Sequence, residues 1–268
     1  MTTFHVFLLA IIQGLTEFLP VSSSAHLELW HKFVGETEDD LALDVAVHLG
    51  TLGAVILYFW RDVKLAFFGG LNLLRGRLSE PGVHLAIALV VATFPVVVIG
   101  LIMHVTGIFE LVRSLAVIGW AMIGFGILLW LADRNPLAQK EANEWTLKDA
   151  AKLGLWQVLA LIPGTSRAGI TITGGLFAGY TREATARIAM LMSIPTILAS
   201  GAVLSIDVIG SADWELAGVA LMAAGFAMMS ALLALVFMMK LLKSVSFLPY
   251  VVYRIILGAV ILGFAYLS

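Results

Sequence analysis

The chain has 268 residues, of which 60% are hydrophobic and only 13% charged, and its formal net charge is −2. A mean hydropathy of +1.00 is too apolar for a soluble domain of this length, so the composition describes an all-α integral membrane protein. The weak charge excludes a nucleic-acid partner, and the absence of cysteine excludes disulfides, thiolate metal sites and a cysteine nucleophile.

Residues 4 to 19 form an apolar helix of about 24 Å, too short for a hydrocarbon core of about 30 Å. The apolar run Val6 to Ile12 before a small-residue cluster resembles a secretory signal. No Lys or Arg precedes Lys32, however, so the segment is expected to be mature structure. Pro20 and three serines break the helix, and a second short helix is expected over about Ala25 to Val34. A polar break at membrane depth is tolerated only inside protein or beside water, which predicts a re-entrant hairpin. Glu36, Glu38, Asp39 and Asp40 then make an acidic loop.

Spans are predicted at Leu41 to Trp60, Val83 to Met103 and Ser114 to Ala132, with a basic loop over 61 to 82. A charged linker, 133 to 152, follows. From Leu153 the plan restarts with a short helix, a break at Pro163 to Gly169 and a second short helix to about Gly179. Spans at about Ala184 to Ile206, Leu216 to Met239 and Phe247 to Leu267 complete it. One membrane domain thus divides into repeats 1–132 and 153–268, each a re-entrant hairpin plus three spans. An odd number of crossings inverts the second repeat, as in many transporters. Pro95 and Pro195 fall inside spans as expected kinks.

Twelve Lys and Arg lie on the loops 61 to 82, 133 to 152, 180 to 187 and 240 to 246, against Lys32 and Arg113 on the opposite face. The positive-inside rule then places both termini and the acidic loops at 36 to 40 and 207 to 215 outside the cytoplasm. Arg187 fits either a loop or the fourth span.

The two breaks hold the candidate chemistry. Aligning Pro20 with Pro163 sets Ser22 against Thr165 and Ser23 against Ser166. Glu17 is costly in a membrane without a partner, and Gln13 shares its helix face, so the two are candidates to hold a metal ion or orient a water. Ser22, Ser23 and Ser24 precede one helix N-terminus and Thr165, Ser166 and Arg167 another. Hydroxyls at a helix start are ordinarily N-caps, but two such termini with an arginine between them suggest a phosphate clamp. His26 is a candidate proton donor or nucleophile. Asp44 and His48, spaced i, i+4, are expected to pair with each other, to bind a metal or to support the site from behind. Arg254 is expected to snorkel to the cytoplasmic interface. Gly119, Gly124 and Gly126 are expected at helix contacts.

At these residues the chain resembles a known family. QGLTEFLPVSSSAH is similar to the (E/Q)xxxE-x-L-P-x-S-S-x-x-H motif of the undecaprenyl-diphosphate phosphatase family, also called bacitracin-resistance proteins, and PGTSRAGIT to its PGxSRSxxT motif. LDVAVHLGTL also looks like that family's segment at the start of its first span. The resemblance covers essentially the whole chain. It implies a bacterial inner-membrane enzyme that hydrolyses undecaprenyl diphosphate for peptidoglycan synthesis, with Mg²⁺ or Ca²⁺ as cofactor and a site opening to the periplasm. Its functional positions fall on Gln13, Glu17, Ser23 and His26, and its phosphate-binding positions on Ser166, Arg167 and Thr171. The chain departs from the pattern by taking the amide at Gln13, Ala168 for a serine and Ala25 for a glycine. His26, Ser23 and a metal-bound water are alternative nucleophiles, with a direct role for His26 the first to test.

Expected partners are undecaprenyl diphosphate and membrane lipids, with a homodimer as the assembly to examine. The rival function, a transporter or flippase of a polyprenyl phosphate lipid, needs the anion site but no acid and base.

Overall fold

The computed structural model describes residues 3–35, 40–134, 139–208 and 214–267. Among these residues the chain forms twelve α-helices and no strand: α1 Thr3–Phe18, α2 Ser23–Val34, α3 Asp40–Tyr58, α4 Trp60–Leu74, α5 Val83–Thr106, α6 Ile108–Val112, α7 Leu115–Asp133, α8 Leu147–Val158, α9 Arg167–Phe177, α10 Arg182–Val208, α11 Trp214–Leu241 and α12 Leu248–Leu267. Six of them, α3, α5, α7, α10, α11 and α12, are long and apolar enough to cross a membrane, in agreement with the predicted spans. The acidic residues Glu36, Glu38 and Asp39 lie outside the described residues, as do 209–213 of the second acidic loop.

Two predicted boundaries need correction, and one open position is decided. The basic stretch after the first span is largely helical, because α4 has a polar face through Arg61, Asp62 and Lys64 and an apolar one through Val63, Ala66 and Phe67. The second hairpin begins at Leu147 rather than Leu153, since Thr146 caps α8 by accepting from the Asp149 amide at 3.1 Å. Arg187 lies within α10, where its guanidinium makes two hydrogen bonds to the Asp62 carboxylate of α4, at 2.5 and 3.1 Å.

The spans turn large apolar side chains outward, and a set of polar side chains is buried within an otherwise apolar interior. Phe94, Leu233 and Ile256 of the spans are at least 60% exposed, whereas Gln13, Thr165 and Arg254 are fully buried. Large apolar side chains turned outward on membrane-crossing helices face lipid, and the polar groups turned inward have to find partners in protein. Behind the second hairpin, buried Tyr180 donates its hydroxyl to Asp149 at 2.9 Å, and burial together with that carboxylate pushes the phenol pKa up.

Each hairpin packs on a span of the opposite half. α1 lies against α11 and α8 against α5, while α3 and α10, α7 and α12 meet as pairs. Glycines allow the closest of these approaches. A Cβ on Gly14 would fall 1.9 Å from Ser230 Oγ and 2.6 Å from the Ala227 carbonyl oxygen, and one on Gly154 would fall 2.6 Å from the Ala92 carbonyl oxygen. Gly119 likewise meets α12 and Gly126 meets Arg254, but Gly124 faces open space, against expectation. Gly50 lies directly against backbone, its Cβ falling 2.2 Å from the Ala224 carbonyl oxygen. Gly50→Ala is therefore expected to push α3 off α11 and destabilise the protein by about 1–3 kcal/mol, read as a lowered thermal midpoint in detergent. A wild-type midpoint would show that the two helices separate freely.

Candidate active site

Both breaks begin where proline ends a helix and close where a residue before the next helix takes left-handed backbone. Proline has no amide hydrogen and crowds the preceding turn, so α1 stops before Pro20, and a short 3₁₀ turn, Leu159–Leu161, runs from α8 to Pro163. Ser22 (φ 73°) and Ser166 (φ 69°) are the non-glycine residues with positive φ among those described. Each immediately precedes a helix, α2 or α9, so Ser22 corresponds to Ser166 rather than to Thr165. The second break is one residue longer, with Gly164 (φ 88°) supplying another left-handed turn. Such backbone in serine costs about 1–3 kcal/mol and persists only where its surroundings hold it.

Glu17, at the end of α1, is the meeting point. Its Oε1 accepts from Arg167 Nη2, and its Oε2 accepts from Ser23 Oγ at 2.7 Å and Gln13 Nε2 at 2.8 Å. Arg167 also donates to the Ser193 carbonyl at 3.1 Å. The carboxylate is 6% exposed and the guanidinium 16%, so the pair is held largely out of water. Arg167, expected as part of a phosphate clamp, has its charge balanced in the protein by the Glu17 carboxylate.

His26 Nδ1 lies 2.7 Å from the Ser22 carbonyl oxygen and Nε2 lies 2.6 Å from the hydroxyl of Tyr253 on α12. Ser24 Oγ lies 3.1 Å from Ser22 Oγ and accepts from the Gly164 amide at 3.4 Å, tying the two breaks together. Ser166 Oγ caps α9, accepting from Gly169 at 3.1 Å, while the Thr165 and Thr171 hydroxyls are buried with no hydrogen-bond partner.

The Asp44 and His48 side chains do not pair with each other. Asp44 Oδ2 lies 3.3 Å from His31 Nε2, whereas His48 Nδ1 bonds the Asp44 backbone carbonyl at 2.6 Å. That leaves His48 Nε2 3.8 Å from Glu17 Oε2.

Arg254 differs most from expectation. It is fully buried, and instead of reaching an interface it donates to the carbonyls of Thr165 (2.8 Å), Gly164 (3.2 Å), Met122 (3.2 Å), Ala121 (3.5 Å) and Pro20 (3.5 Å). A helix that turns sharply leaves carbonyls unpaired, and a five-donor fork suits several of them at once. An arginine about two turns inside the last span was the available signal; its distance from the membrane surface alone did not reveal that both breaks converge on it.

The residues also bear on a divalent cation. Gln13 Oε1 is buried without a hydrogen-bond partner, on the same amide whose Nε2 donates to the Glu17 carboxylate at 2.8 Å, and such a spare oxygen suits a hard, oxygen-ligated ion. Among the described residues no three His, Cys, Asp or Glu cluster as a ligand set. Gln13 and Glu17 therefore fit an ion whose other oxygen ligands come from elsewhere.

Fold and site together define a multi-pass helical membrane protein with a charged polar centre built from two facing helix breaks. The family model described as bacitracin resistance protein BacA matches residues 6–260. A protein of Roseobacter denitrificans named undecaprenyl-diphosphatase is 59% identical over 266 residues, covering 99% of this chain and 100% of the relative. Similarly named proteins of Ruegeria pomeroyi and Alteromonas mediterranea are 57% and 42% identical, each over 99% of this chain and all of the relative. The chain belongs to the BacA family.

Proposed function

We propose that this protein is an undecaprenyl-diphosphate phosphatase, releasing inorganic phosphate and undecaprenyl phosphate for reuse as a lipid carrier. The observation that carries this reading is the convergence on Glu17 of Ser23 from one break and Arg167 from the other. A carboxylate hydrogen-bonded to a hydroxyl is a base beside its nucleophile, and a fixed arginine supplies charge for phosphoryl oxygens. Both ring nitrogens of His26 are hydrogen-bonded, which favours Ser23 as the attacking group.

Ser23 Oγ bonds to the terminal phosphorus as its proton passes to Glu17. The bond from that phosphorus to the bridging oxygen breaks, and undecaprenyl phosphate leaves with the electron pair. Water then bonds to the same phosphorus, the bond to Ser23 breaks, and Glu17 returns the proton to Ser23. One water proton stays on the departing phosphate and the other passes to His26 Nε2. Arg167 and the N-termini of α2 and α9 hold the non-bridging oxygens throughout, with Thr165, Ser166 and Thr171 behind them. Mg²⁺ or Ca²⁺ held by Gln13 and Glu17 would neutralise charge on the diphosphate.

The chain resides in the bacterial inner membrane with basic loops in the cytoplasm, both termini in the periplasm and the site open to that side. The exchange of hairpins between halves supports the inverted-repeat plan. The test is phosphate release from undecaprenyl diphosphate by purified protein in detergent. Release is expected to stop on chelation and to return with Mg²⁺ or Ca²⁺. Turnover that survives exhaustive chelation would remove the metal, and no release with any ion would remove the phosphatase reading.

A further inference from the structure

Tyr253 lies outside both motifs, yet it is the group that meets His26 from across the molecule. The Ser22 carbonyl oxygen has no hydrogen to give, so the contact at 2.7 Å requires that His26 Nδ1 carry one. In the neutral imidazole the lone pair is then on Nε2, and Tyr253 donates its hydroxyl there at 2.6 Å. The two rings lie parallel, with their planes 1° from one another and their centroids 5.7 Å apart. Left-handed backbone at Ser22 aims one partner, and α12 carries the other. The neighbouring residue, Arg254, pins α12 to the carbonyls of both breaks and so fixes the register from which Tyr253 reaches out.

We infer that Tyr253 is a positioning residue of the site: its hydroxyl holds His26 as the Nδ1–H tautomer with Nε2 ready to take a proton. The inference rests on the phosphatase reading and extends it by assigning what orients the histidine. Tyr253 is 44% exposed, so its side chain is free to swing off Nε2 once substrate is seated. A histidine free to rotate or change tautomer would offer the wrong nitrogen for part of the time, lowering turnover without loosening substrate binding.

The experiment compares full-length wild type with Tyr253→Phe, which keeps the ring, using two readouts on histidine-¹⁵N-labelled protein. The first is the ring-nitrogen spectrum without substrate, with the His26 resonances identified by their loss in His26→Gln. The expected wild-type spectrum has a proton on Nδ1 and a hydrogen-bonded lone pair on Nε2, and Tyr253→Phe moves Nε2 downfield. The second is phosphate release, where kcat is expected to fall about tenfold or more with KM within about twofold. A proton on Nε2 in wild type, an unmoved Nε2 resonance in the variant, or a wild-type kcat would each overturn the proposal. If wild type releases no phosphate while its spectrum shows the hydrogen bond, the phosphatase reading has failed and the role in turnover falls with it. If wild type is active and the bond is absent, only the role of Tyr253 has failed.

Discussion

Arg167→Ala is expected to abolish measurable phosphate release and to weaken the fold. In the resting protein the guanidinium neutralises Glu17, and together they join the first break to the second. Removing one member of a largely buried ion pair leaves the other charge without compensation, at a cost of about 3–5 kcal/mol. Loss of a fixed cation from the phosphoryl oxygens should slow the reaction by about 10²–10³-fold. Arg167→Lys separates the two effects, because it keeps the charge and loses the planar fork that serves Glu17 and Ser193 together. It should recover much of the stability and little of the rate. Initial rates and thermal midpoints of both variants decide the matter. Activity of Arg167→Ala within tenfold of wild type would place the phosphate elsewhere.

Arg254→Met should damage the protein as badly, without removing any group that touches substrate. Five backbone carbonyls, from both breaks and from α7, share this one buried side chain. Each carbonyl left unpaired costs about 1–3 kcal/mol, and Met fills a similar volume without a donor, so a loss of several kcal/mol is expected. Arg254→Lys has three donors on one point and should recover only part of it. Thermal midpoints read the loss directly. Because the same carbonyls fix the two turns that aim Ser23 and Arg167, residual activity should fall with stability. A midpoint and turnover equal to wild type in Arg254→Met would show that water satisfies the breaks and that the arginine is dispensable.

What could be read from the chain follows from local rules. Spans of about twenty apolar residues and the paired break motifs are local signals, so the six helices long enough to cross a membrane and the two helix breaks at Pro20 and Pro163 were legible, and Glu17, Ser23, His26 and Arg167 stood out as polar groups in apolar surroundings. Helix α4 escaped because Arg61, Asp62 and Lys64 crowd its first residues and resemble a loop, although an apolar run follows them. The offset between Ser22 and Ser166 escaped because prolines mark where a helix stops, while backbone conformation decides where the next one starts.

Partnership was decided only by the tertiary structure. Arg167 lies 150 residues from Glu17, and Tyr253 227 from His26. Arg254 was read as an interface residue because hydropathy measures distance along one helix and says nothing of which carbonyls a neighbouring helix leaves open. Asp44 and His48 share a helix face, which made their pairing plausible; packing instead brought His31 to one and Glu17 to the other. The sequence by itself determined which segments enter the membrane and which side chains are too polar to face lipid. Which of those polar groups satisfy one another depends on how the helices cross, and that was settled by packing between the two halves of the chain.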